Sequence, residues 1–111
     1  MFKVTSYYTP IKGQKKYVHG SYEADFRINC HGDCRKTADG YYLKPEDAFK
    51  VIACPPNWRL GTKFYIESVG EVVCHDRGGS IKNGRLDLWV GIGDDAWIGK
   101  GSGKRKVYLI K

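Results

Sequence analysis

Stretches with the two-residue alternation or short apolar run of a β-strand occur at Lys3 to Tyr8, Val51 to Cys54, Lys63 to Ile66, Glu71 to Asp76, Arg85 to Trp89 and Lys106 to Ile110. Val, Ile, Tyr and Phe dominate them, and glycine or proline punctuates the gaps, so each run favours a pleated surface and each gap a chain reversal. Two segments suit short helices instead. Lys44-Pro45-Glu46-Asp47-Ala48-Phe49 puts proline and acids in a first turn, and Asp94-Asp95-Ala96-Trp97-Ile98 opens with acids that favour the positive end of a helix dipole. Pro10 to Tyr42 follows neither period and reads as a long polar insertion, which in so small a domain is functional or carries minor structure of its own. Six short strands with little helix predict a closed or nearly closed barrel, because closure removes exposed strand edges.

The alternation also sorts candidate chemistry onto faces. In Arg85-Leu86-Asp87-Leu88-Trp89 the two leucines share one side, so Asp87 lies on the other with Arg85 and Trp89. Asp76 ends the preceding strand and opens the basic, glycine-rich connection Arg77-Gly78-Gly79-Ser80-Ile81-Lys82-Asn83-Gly84. Two carboxylates carried by neighbouring strands into one groove are suited to acid/base work on a glycosidic bond. The same Asp-Arg-Gly-Gly run is also ordinary turn chemistry, in which a carboxylate accepts backbone N–H groups. Regular alternation places Cys74 on the Asp76 side of its strand and His75 on the other, and gives Thr5, Tyr7 and Thr9 a common face in the first strand. Lys82 and Arg85 are candidate ligands for sugar oxygens. Trp89 and Trp58 are candidate stacking surfaces, while Trp97 in its short helix is expected to pack into the core.

A chain of 111 residues is one domain with a single core, residues 1–111 including the insertion 10–42. A net charge of +7 favours an anionic partner, and bacterial wall polymers fit it as well as nucleic acid. The basic residues are dispersed beyond small clusters at Lys12 to Lys16 and Lys100 to Lys106, so nucleic-acid binding is not expected. No apolar run spans a bilayer, and Met1-Phe2-Lys3-Val4-Thr5 does not resemble an export signal. Four cysteines suit disulfides, a metal site or reduced thiols; the second tight pair a zinc site wants is missing, and neither metal nor cofactor is expected.

Taken in order, Ala53-Cys54-Pro55, Leu60-Gly61-Thr62, Asp76-Arg77-Gly78-Gly79 with Ile81-Lys82, Leu86-Asp87-Leu88 and Gly91-Ile92-Gly93-Asp94-Asp95-Ala96 resemble the three-aspartate domain of bacterial cell-wall enzymes. The resemblance extends to the catalytic barrel of the membrane-bound lytic transglycosylase A family and to the stationary-phase survival muralytic proteins. It covers Val51 to Lys111 well and Val4 to Thr9 loosely, and leaves out Pro10 to Tyr42. It implies a six-stranded double-psi β-barrel that cleaves the β-1,4 bond between N-acetylmuramic acid and N-acetylglucosamine, leaving 1,6-anhydro ends without water. By the same resemblance Asp87 is the acid/base, Asp76 its supporting carboxylate, and Thr5 a groove-lining hydroxyl. The family's first aspartate is replaced here by Cys54, which is open to three readings: a disulfide with Cys74, a buried thiol filling the acid's place, or a nucleophile.

The expected protein is a monomeric lytic transglycosylase acting on peptidoglycan, a phage endolysin or virion-associated enzyme held in the host cytoplasm before release. Barwin-like or expansin-like polysaccharide binding without catalysis, and hydrolysis of another β-1,4 glycan, are the competing functions.

Overall fold

The structure, a computed structural model, describes residues 1–30 and 32–111; His31 lies outside the described residues. In chain order its elements are β1 (Phe2–Thr9), α1 (Tyr22–Asn29), β2 (Val51–Ala53), β3 (Lys63–Ile66), β4 (Gly70–Asp76), β5 (Arg85–Ile92), β6 (Gly103–Arg105) and β7 (Val107–Ile110). Single 3-10 turns at Pro45–Asp47 and Gly93–Asp95 stand where the two short helices are expected. None of the described helices is long and apolar enough to cross a membrane.

Mainly β architecture is therefore present, but not as six strands closed on themselves. One seven-stranded sheet runs in the order β6-β1-β5-β2-β4-β3-β7. The predicted last strand is β7, and β6 just before it is a strand that the sequence pattern does not signal; the two occupy opposite ends of the order although only Lys106 separates them. Adjacent peptides keep those ends close. The end of β6 and the start of β7 therefore lie together, so the sheet curls, but no ladder joins its two edge strands.

Parallel pairing of β1 with β5 and of β2 with β4, around an antiparallel β2–β5 contact, brings the C-terminal ends of β2 and β4 beside the middle of β1 and the first half of β5. Val4, Ile52, Phe64, Ile66, Val72, Leu86 and Leu88 fill the main core on one side of the sheet. On the other side Leu43, Val51 and Trp89 form a smaller cluster. Removal of these side chains from water is the main drive for the curl.

The insertion carries a helix that periodicity does not signal. Ser21 caps α1, its Oγ accepting from Ala24 N–H at 3.1 Å, and Glu23 and Asp25 occupy the first turn. The buried residue of α1 is Asp25 rather than an aliphatic, while Ile28 is exposed. Asp25 accepts from the Tyr8 hydroxyl, from Val18 N–H at 2.9 Å and from His19 N–H at 2.8 Å. Polar anchoring replaces the apolar stripe that normally marks a helix.

Candidate functional site

A groove opens where β1, β2, β4 and β5 come together. Tyr7, Ala53, Asp76 and Asp87 form its sheet side, the Gly78–Ile81 turn one bank, and Asn29, Cys30, Asp33, Cys34 and Lys36 of the insertion the other. The two aspartates singled out from the sequence thus share one cleft, and the insertion supplies a wall of it.

Asp87 sits on β5 opposite Thr5 of β1 and Ala53 of β2. Thr5 Oγ1 donates to Asp87 Oδ1 at 2.8 Å and accepts from Arg85 Nε at 3.3 Å. Arg85 therefore meets the carboxylate through the threonine. Burial pushes the Asp87 carboxyl above the usual carboxylate range; the Thr5 hydrogen bond and the Arg85 charge pull the other way, and the Asp76 charge adds a smaller upward push. The net direction is upward.

Asp76 reaches the groove by an irregularity. Val51 pairs with Val73 and Ile52 with Cys74, but Ala53 pairs with Asp76, so the register slips by one residue on β4. Such a slip re-aims side chains. Cys74 is consequently in the main core and Asp76 in the groove, which corrects the common face that regular alternation predicts. The Asp76 carboxylate accepts Tyr7 Oη–H at 2.9 Å on one oxygen, and Ala38 N–H at 3.0 Å and Arg77 N–H at 2.9 Å on the other. Turn support and groove lining are combined in one residue. Gly78 is required in that turn because a Cβ there would lie 2.9 Å from Ile81 Cγ1.

Tyr7 is the groove residue whose weight the sequence understates. Burial, then the charge and hydrogen bond of Asp76, then the charge of Asp87, hold its hydroxyl well above a tyrosine's ordinary pKa. Its hydroxyl is placed to donate to Asp76. Tyr7→Phe is expected to keep the fold and to cost about 1.5 to 3 kcal/mol of stability, the scale of one hydrogen bond to a charged group. Denaturant unfolding checks this, and an unchanged midpoint would show that the Tyr7 hydroxyl does not hold Asp76. The Thr-x-Tyr-x-Thr alternation of β1 was the available signal.

Other expected groups are elsewhere. Trp89 does share the Asp87 side of β5, but Leu43, Val51 and the partly buried Tyr7 and Tyr41 cover it completely, and its Nε1–H donates to Thr9 Oγ1 at 3.1 Å. It packs the second core and stacks on no sugar. Trp58 lies edge-on to Phe64, with ring centroids 5.4 Å apart, outside the groove. Lys82 is exposed and forms none of the groove wall. Trp97 is exposed rather than core, following its 3-10 turn with Lys100 Nζ 3.6 Å from the ring centroid.

All four cysteines are paired, Cys30 with Cys34 and Cys54 with Cys74. Cys54 is fully buried and bonded to a neighbouring strand, so the free-thiol and nucleophile readings fall away. The Arg77 guanidinium braces the same corner, donating to the carbonyls of Cys54 at 3.0 Å, Pro55 at 2.9 Å and Trp58 at 2.6 Å.

Residues 50–111 match the family described as the 3D domain. The chain belongs to the 3D-domain family. Among its relatives, the cell wall-binding protein YocH of Bacillus subtilis (strain 168) is 43% identical over 72 residues, which are 64% of this chain and 25% of that protein. The putative cell wall shaping protein YabE of the same organism is 35% identical over 65 residues, 58% of this chain and 16% of YabE. The chain thus spans a quarter or less of the length of either relative. The 3D-domain match takes in Asp76 and Asp87, together with the cystine and the Gly78–Ile81 turn.

Proposed function

We propose that this 3D domain is a peptidoglycan lytic transglycosylase, with Asp87 as its single acid/base and Asp76 and Tyr7 shaping the site around it. The observation that carries the reading is Asp87 itself: a half-buried carboxyl raised by burial, in a groove with a second carboxylate and a fixed hydroxyl donor. A raised pKa suits a general acid. On this reading protonated Asp87 gives its proton to the glycosidic oxygen as the bond from that oxygen to the muramic C1 breaks. The resulting carboxylate takes the proton of the muramic 6-hydroxyl while that oxygen bonds to C1. The nucleophile belongs to the substrate, so one carboxyl completes both transfers and no activated water is needed. Asp76, facing three donors, is placed to accept hydrogen bonds and fix the electrostatics, not to pass a proton. The relatives' names and the charge of +7 support a wall polymer as partner. The crossed parallel pairings β1–β5 and β2–β4 support the double-psi barrel as the fold type.

Digestion of purified peptidoglycan followed by mass spectrometry tests this. Anhydro-muramic ends are the expected products; reducing ends, heavier by one water, would assign a hydrolase instead. A second reading, wall binding without cleavage, is favoured by the cystine that stands where the family has its first acid. Retention on wall with no released fragments would select it.

A further inference from the structure

The carboxylate of Asp76 is held partly by a loop far from it in sequence. Ala38 N–H points at Asp76 Oδ1 from 3.0 Å, and the next residue, Asp39, grips the next residue back along β4, His75. That grip has two parts: Asp39 N–H donates to the His75 carbonyl at 3.2 Å, and Asp39 Oδ2 lies 2.6 Å from His75 Nδ1. The other oxygen of Asp39 ties its own loop, accepting Thr37 Oγ1–H at 2.7 Å and Tyr41 N–H at 3.1 Å. The Tyr41 ring lies flat on the His75 imidazole, centroids 4.3 Å apart and planes 6° from parallel, and Tyr41 Oη in turn donates to Asp47 at 2.9 Å. A surface turn with this many contacts to one strand end has little freedom, and a fixed N–H on a carboxylate is a charge-assisted hydrogen bond whose worth depends on geometry.

We propose that the Asp39–His75 pair is a positioning device for Asp76: it docks the 37–41 turn on β4 and thereby keeps the Ala38 N–H aimed at the Asp76 carboxylate. The catalytic part rests on the assignment of Asp76 to the transglycosylase groove; the docking part does not. Neither residue lines the groove. Asp39 and His75 act through the backbone of Ala38, so their effect falls on turnover more than on glycan affinity. The pair also gives the insertion a second task beside walling the groove.

His75→Phe tests the pair, because it keeps an aromatic ring against Tyr41 and removes the Nδ1 contact. In the full chain, amide hydrogen exchange at Ala38 is expected to accelerate about 10-fold or more, the scale of losing a hydrogen bond to a charged group. Turnover of peptidoglycan is expected to fall by a similar factor with KM nearly unchanged. His75→Asn, whose Nδ2 stands where Nδ1 stood, is expected to recover most of both. If His75→Phe does not fold, Asp39→Ala breaks the same contact from the loop and carries the same expectations. Unchanged Ala38 exchange in a folded variant overturns the docking. Accelerated exchange with undiminished turnover, or loss of both with no recovery in His75→Asn, overturns the positioning role. If the wild-type chain releases no glycan product, the functional assignment has failed instead, and Ala38 exchange alone decides the docking.

Discussion

On the proposed transglycosylase reading, Asp87→Asn is expected to lose wall cleavage by about 100-fold or more, the ordinary scale of a general acid/base, while the protein stays folded. The amide has nearly the shape of the acid, and its oxygen still accepts the Thr5 hydroxyl that now lies 2.8 Å from Oδ1. Stability supplies an independent check. Because burial raises the folded-state pKa of Asp87 above that of the unfolded chain, the folded state binds its proton more tightly. Below the unfolded carboxylate range both states are protonated and no penalty exists; as pH rises through the raised folded value, stability is lost. The asparagine variant carries no such loss. Its melting temperature is therefore expected to exceed that of the wild type at neutral pH, with the difference shrinking on acidification through the carboxylate range. Cleavage at the wild-type rate by a folded Asp87→Asn protein would end the assignment, and a melting difference independent of pH would contradict the burial argument.

The second large effect concerns the cystine. Cys54 and Cys74 close a loop with a sequence separation of 20, and loop-closure entropy for that length corresponds to about 3 kcal/mol. Replacing both by alanine leaves no unpaired thiol and is expected to lower the melting temperature by roughly 10 to 20 °C for a domain of this size. Thermal unfolding with and without reductant measures it, since reduction of the wild type must produce a shift of the same sign. Cys54→Asp, the change that reinstates the family's first acid, is expected to be worse than the alanine pair. It breaks the crosslink and also puts a carboxylate at a position with no solvent exposure. A reductant-insensitive melting curve would show that the bond contributes nothing to stability.

Where a third carboxylate is expected, the chain has a covalent link between the ends of β2 and β4, the strands that carry Ala53 and Asp76 into the groove. Arg77 adds three carbonyl contacts at the same corner. Rigidity at that point serves any function that needs Asp76 and Asp87 at a constant separation, cleavage and binding alike. The product analysis and the Asp87→Asn result therefore carry the distinction between the two.

Strand positions were legible in the chain because a sheet with one covered face imposes alternation locally: Leu86 and Leu88 are in the core and Asp87 is in the groove, as the period of two requires. Thr5, Tyr7 and Thr9 keep their common side for the same reason. Alternation says which side a residue takes and nothing about what covers it. Trp89 shares the side of Asp87, yet Leu43 from beyond the insertion buries it, a contact made between residues far apart in sequence. The helix α1 escaped detection because its buried anchor is an aspartate held by hydrogen bonds, which leaves no apolar period to read. The slip that turns Asp76 into the groove exists only in the pairing of β2 with β4, and the partners of the four cysteines follow from where the strands bring them. The sequence by itself determined six of the seven strands, the faces of β1 and β5 and the two carboxylates, since these depend on neighbours one or two residues away; β6, Gly103–Arg105, was not among the predicted runs. Register, cover and crosslinks were decided by the tertiary structure, because each is a contact between segments that only the folded sheet brings together.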